Sequence, residues 1–176
     1  DSTFTGTSGV GYYADVDGNG TVDGIIFVDR KNGASGSWGG EDYSISKTTG
    51  TKEYYISQTN YAGPFGTKNV LSATGSGNTR FYVMTLTDFE SKLYSYISAK
   101  TLGTDGWSLP SCKDWAAFCG ELGISSANYS GYGLAISYWT ATTSTSSRAM
   151  RVRLALGKID DYGMALSLNV RLSRTF

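Results

Sequence analysis

Trp107-Ser108-Leu109-Pro110-Ser111, followed by Cys112-Lys113-Asp114-Trp115, is the stretch on which the reading of this chain turns. Proline is excluded from a helix interior and tolerated at its entrance, so Pro110 marks a boundary. Ser111 then opens a helix, with Asp114 three residues on as the reciprocal cap. Trp115, Phe118, Cys119 and Leu122 recur at helical spacing and form its core face. Gly120 or Gly123 ends it.

Working outward, a first helix is predicted to open at Thr87, where Thr87-x-x-Glu90 makes a second capping box. Its apolar stripe is Phe89, Leu93, Tyr96 and Ile97. Residues 80–86 read as a strand with Phe81 and Val83 on one side. Residues 53–57 and 69–73 read as short strands joined by a turn-rich stretch at 60–66. Residues 10–30 read as strand, acidic turn, strand. Ile25-Ile26-Phe27-Val28 is the buried run there, and Gly11-Tyr12-Tyr13 its partner. Gly, Ser and Thr dominate residues 31–50, which predicts a loop pinned to the body by Trp38. Downstream, residues 129–176 are β-rich. Val152, Leu154 and Leu156 alternate, as do Leu166, Leu168, Val170 and Leu172, with residues 157–163 as the exposed turn between them. No repeat or linker interrupts the chain, so residues 1–176 are expected to form one α+β domain, two helices packed on small antiparallel sheets.

Composition narrows the function. Acidic and basic side chains number 15 each, without the basic excess that phosphate neutralisation requires, so nucleic acid is not an expected partner. No run approaches the roughly 20 apolar residues of a membrane span. A surface low in charge and rich in Gly, Ser, Thr and Tyr is that of many extracellular and binding proteins, and a start at Asp1 without Met is consistent with a removed leader. Thirteen tyrosines supply rigid amphipathic contact area, or simply suit strands. Cys112 and Cys119 fall about 10 Å apart along one helix face, beyond disulfide reach, and are expected as free buried thiols. The chain has no histidine, which removes Ser-His-Asp and Cys-His catalysis and every His-containing zinc site. Ser44-x-x-Lys47 lacks its partner motifs and reads as chance. No catalytic residue is assigned.

The densest local chemistry is Asp15-Val16-Asp17-Gly18-Asn19-Gly20-Thr21-Val22-Asp23. Oxygen ligands at positions 1, 3 and 5, a glycine at 6, a main-chain carbonyl at 7 and a carboxylate at 9 match the start of an EF-hand loop. Asp15, Asp17, Asn19, the Thr21 carbonyl and Asp23 are thus candidate ligands for a structural Ca²⁺ ion. The position of the bidentate glutamate is Ile26, and strands rather than helices flank the loop. The alternative is an Asp/Asn/Gly turn that needs those residues for geometry alone.

Gly106-Trp107-x-Leu109-Pro110-Ser111, the helical Trp115, Tyr138-Trp139-Thr140 and the terminal Val170-Arg171 occur in an order that resembles bacterial and phage C-type-lectin-like domains. These families include the formylglycine-generating-enzyme-type fold and the Legionella-collagen-like C-terminal domain. Tyr13-Ala14-Asp15-Val16-Asp17-Gly18 and Phe81-Tyr82-Val83-Met84 extend the likeness to members from gut Bacteroidetes and their phages. The resemblance implies a C-type lectin fold that displays a binding surface. One subset, the variable proteins of diversity-generating retroelements, is diversified near the C-terminus, here about residues 137–176. On that likeness Thr143, Ser144, Ser146, Arg148, Arg151, Arg153, Lys158, Asp160, Asp161, Tyr162 and Asn169 are candidate ligand-binding positions. Trp139, Val152, Leu154, Leu168, Val170 and Leu172 point inward as the frame. The implied ligand is a protein or cell-surface receptor; the alternative is a fixed-specificity adhesin or glycan-binding domain. The Glu-Pro-Asn and Trp-Asn-Asp motifs of calcium-dependent sugar binding are absent, and the two cysteines lie on a core helix rather than in a reactive arrangement. Enzymatic activity is therefore not expected.

Overall fold

The apolar run at Ile25–Val28 becomes the axis of the molecule. In the computed structural model, which describes residues 2–176, the strand that contains it is buried at every position. It lies inside a seven-stranded sheet ordered β1 (Ser2–Thr3), β6 (Glu53–Gly63), β7 (Gly66–Thr74), β2 (Tyr13–Ala14), β3 (Gly24–Asp29), β8 (Phe81–Thr85) and β14 (Ser173–Thr175). β2 and β7 run parallel and the other neighbours antiparallel. The principal sheet is thus larger and more mixed than the small antiparallel sheets expected. The reason is long-range. β14 brings the last residues back beside β8, where Phe176 is buried against Tyr54 and Phe81. Its carbonyl accepts from Tyr54 Oη at 2.7 Å and Phe81 N at 2.9 Å. Gly24 is required where β3 crosses β8, because a Cβ there would sit 2.3 Å from the Met84 carbonyl oxygen.

The helix predicted from Ser111 forms as α2 (Cys112–Leu122). Ser111 Oγ accepts from Asp114 N at 3.1 Å, and the Asp114 carboxylate accepts from Ser111 N at 3.0 Å. Gly123 closes the helix in the left-handed conformation, at φ 68°. Trp115, Phe118 and Cys119 are fully buried in a core shared with Ile25, Phe27, Tyr138 and Val152. Both cysteines are free and buried.

Residues 31–50 are a hairpin rather than a loop: β4 (Ala34–Trp38) and β5 (Glu41–Ile45) pair across a Gly39–Gly40 turn. Interspersed Gly and Ser hide its alternation. Its anchors are tertiary, with Trp38 Nε1 donating to Ile124 O at 2.8 Å, as the pinning role predicted, and Tyr43 Oη donating to Glu121 Oε2 at 2.7 Å.

The helix expected from Thr87 is a correction. Only α1 (Tyr96–Ala99) is helical, capped by Ser95, and it is preceded by a 3-10 turn at Phe89–Ser91 and a short strand β9 (Tyr94–Ser95). The main chain of this segment is held by the C-terminal region. Phe89 N donates to Val170 O at 2.7 Å, Tyr96 N donates to Met164 O at 3.0 Å, and β9 pairs with β13 (Ser167–Leu168). These bonds override the local pattern. Leu93 and Ile97, expected inward, are 61% and 55% exposed.

A three-stranded antiparallel sheet is formed by β10 (Ser137–Thr143), β11 (Arg148–Arg153) and β12 (Lys158–Gly163). Residues 157–163 are therefore an edge strand, not a turn; the reversal lies at Leu154–Leu156 with Gly157 in the left-handed region. Leu156 and Leu166 fall outside the core. Among the described residues no helix is long and apolar enough to cross a membrane.

Candidate binding surface on the C-terminal sheet

Register decides which side chains of this sheet share a face, because residues paired across an antiparallel ladder point the same way. Tyr138, Val152 and Ile159 are paired in one row; Trp139, Arg151 and Asp160 form the next. Trp139 thus faces away from Val152, although both were expected in one interior. Both faces are covered at this point. Tyr138 stacks on Trp115 in the main core, while Trp139 is buried against Tyr96, Ala149 and Leu168 on the other side. Trp139 Nε1 donates to Tyr94 O at 2.7 Å.

Beyond Trp139 the same face carries a joined polar cluster. Asp160 accepts from Arg151 Nε and from Arg153 Nη1, each at 2.9 Å. The Arg151 guanidinium lies 3.7 Å from the centre of the Tyr162 ring, within cation–π range. Lys158 and Thr143 belong to this face by register. A second cluster occupies the opposite face at the hairpin end, where Arg148 contacts Asp161 at 3.0 Å and Ser144 Oγ donates to Asp161 at 3.2 Å. Ser146 lies in the exposed loop between β10 and β11. Asn169 stands apart, its main chain bridging to β10 with Trp139 N donating to its carbonyl at 3.2 Å. The structure therefore brings Arg151, Arg153, Asp160 and Tyr162 into contact, groups Ser144, Arg148 and Asp161 separately, and leaves Asn169 outside both.

The charges are settled by these contacts. Burial works to raise the Asp160 carboxyl, but hydrogen bonds from Arg151 and Arg153 prevail and hold it below the usual carboxylate range. Asp161 is held low by its hydrogen bond from Arg148, and Arg148 is raised in return. At neutral pH both clusters present fixed opposite charges rather than a proton donor.

The acidic loop leads from β2 into β3. Asp15 accepts from Gly18 N at 3.0 Å and Gly20 N at 2.8 Å, and Asp23 accepts from Val16 N at 2.7 Å. Carboxylate oxygens of Asp15, Asp17 and Asp23 lie within 4.8 Å of one another. Asn19 Oδ1 is taken by Thr21 N at 2.8 Å. Burial, together with the charges of Asp17 and Asp15, raises the Asp23 carboxyl despite the Val16 N–H. Ile26 is enclosed in β3 and offers no ligand. The three carboxylates fit a hard divalent cation that keeps several waters.

No family model, curated protein or solved structure matches this chain, so the site rests on its own geometry.

Two features escaped the sequence. Arg171, 1% exposed, bonds Asp88 Oδ1 at 2.8 Å, the Thr85 carbonyl at 3.0 Å and the Gly133 carbonyl at 3.1 Å. Tyr138 Oη shares Asp88 at 2.5 Å. Burial chiefly pushes the Tyr138 phenol up, so it stays a neutral donor. A cleft of about 300 Å³ beside the acidic loop is lined by Asp23, Thr85, Phe89, Trp107 and Leu172 among others. It draws on residues from separate segments, which no local motif can reveal.

Proposed function

We propose that this chain is a non-enzymatic binding and display module of the C-type-lectin-like kind, with its contact surface on β10–β12 and their hairpin. The observation that carries this reading is the Arg151–Asp160–Arg153–Tyr162 cluster. It is pre-ordered and partly exposed, and Trp139 and Tyr138 anchor its strands from opposite sides. Arg and Tyr held in place before contact suit recognition of a protein or cell-surface receptor, since less side-chain freedom is lost on binding. Both cysteine thiols are raised by burial, Cys119 strongly, which argues against thiolate chemistry.

The surface positions also suit diversification by a retroelement. Thr143, Ser144, Ser146, Arg148 and Lys158 are exposed, so changes there leave the buried frame intact. In this reading the protein works outside the cell, on its surface or on a phage particle. The acidic loop holds a structural Ca²⁺ through Asp15, Asp17, Asn19, the Thr21 carbonyl and Asp23; the ion stiffens the turn that leads into β3. Sequencing the genomic locus from a population tests the reading. A near-copy of the segment encoding about residues 137–176, differing at adenines and lying beside a reverse transcriptase gene, supports it. A uniform 3′ end with no near-copy overturns diversification and leaves a fixed-specificity adhesin.

A further inference from the structure

At the far end of β3 from the acidic loop, the chain gathers positive charge. Lys31 follows β3, Lys47 follows β5, Lys52 precedes β6 and Arg80 precedes β8. These four residues, with Thr48, Thr49 and Gly50, line one cleft of about 450 Å³, and no carboxylate is among its lining residues. Asp29 answers the Arg80 charge from below. It is buried, and its two oxygens accept Arg80 Nε and Nη2 at 2.9 Å each, with Gly9 N at 2.9 Å and Lys31 N at 3.0 Å. Lys31, Lys47 and Lys52 form no ion pair among the described residues. A chain with as many acidic as basic side chains thus lines one cleft with three lysines that form no ion pair among the described residues and one guanidinium held by Asp29.

The wall of the cleft is tied down. Thr48 N donates to Arg30 O at 2.8 Å, Thr51 N donates to Asn78 O at 3.2 Å, and a Cβ on Gly50 would come within 3.3 Å of Arg80 Cβ. We infer that this cleft binds a phosphomonoester group. Ammonium groups act as point charges that can surround a tetrahedral anion, whereas a planar carboxylate is better matched by the guanidinium fork, which Asp29 already fills. A phosphomonoester carries about −1.5 to −2 at pH 7 and so engages more of the three lysines than a monoanion does.

The test is an amide NMR titration of the whole chain at low ionic strength with inorganic phosphate and, in separate arms, glycerol phosphate and acetate. Phosphate and glycerol phosphate should shift the Thr48, Thr49, Gly50 and Lys52 amides at lower concentration than acetate. Tighter binding of glycerol phosphate than of inorganic phosphate would assign the site to an esterified ligand, and equal binding to the phosphate group alone. Lys47→Gln and Lys52→Gln should each weaken binding about threefold, with added salt weakening it further. Arg151→Ala should leave it unchanged, which separates this site from the C-terminal surface. Unmoved amides at 47–52, acetate binding as tightly as phosphate, or a folded Lys47→Gln/Lys52→Gln protein that binds normally would overturn the inference.

Discussion

Asp29 and Asp160 are both aspartates gripped by arginine, and they sit in opposite surroundings. Asp29 sits at the end of β3 with its side chain 1% exposed, whereas Asp160 lies on the edge strand β12 at 31%. The first pair ties β3 to the start of β8 with every oxygen filled from the protein. The second leaves guanidinium edges facing solvent. The same residue types thus form a buried tie in one place and a partly exposed cluster in the other; Arg80 and Arg151 are similarly covered, and burial of the carboxylate is the variable that separates them.

The largest expected effect tests that contrast directly. Asp29→Ala strands the Arg80 guanidinium and should remove roughly 3–5 kcal/mol of stability in denaturant titration. Asp160→Ala should cost less than about 1 kcal/mol. Equal losses would break the comparison. Arg171 sharpens it, because it lies within the C-terminal segment yet is buried. Arg171→Ala leaves Asp88 and two main-chain carbonyls short of donors and should also cost roughly 3 kcal/mol. A loss as small as that at Asp160 would mean that position along the chain, rather than burial, sets the role.

Two smaller effects depend on pH and cation. Asp160 and Asp161 are held low in the fold, so their stabilisation is present above the unfolded carboxylate value of about 4 and fades as pH falls through the folded values. Asp23 is raised, so the sign reverses: its contribution is full below about pH 4 and is lost as pH rises through its folded value. Calcium should relieve that repulsion. Calorimetry at pH 7 should show a rise of about 2–4 °C in Tm with Ca²⁺ over chelator, and a smaller one at pH 4. No rise at pH 7 would reduce the acidic loop to a turn. The smallest effect on folding is expected from Arg151→Ala and Tyr162→Ala. Each should leave the far-UV circular dichroism and the cooperative transition in place while removing the cation–π contact; loss of folding in both would make them scaffold rather than surface.

Two capping boxes show how far the sequence could be read. Ser111 with Asp114 and Thr87 with Glu90 are equivalent as local signals, yet only the first caps a helix. After Ser111 an apolar face meets β3 and closes a core. After Thr87 the main-chain donors are claimed by Val170 and Met164, more than sixty residues downstream. The candidate surface divides the same way. Its residues were legible as mixed polar positions between apolar ones, but their grouping was not. The pairing of Trp139 with Arg151 rather than Val152 depends on register across three strands.

What the sequence determined by itself is local and periodic: the start of helix α2, the buried run of β3, the acidic turn and the free cysteines. Each follows from side-chain size, spacing or backbone preference within a dozen residues. Tertiary structure alone decided the seven-strand order, the hairpin at 34–45, the fate of residues 87–99 and the burial of Arg171. It also set the sorting of charge to opposite ends of β3. The reason is that hydrogen-bond partners and solvent exposure are properties of what packs alongside, and here the decisive neighbours come from the far end of the chain.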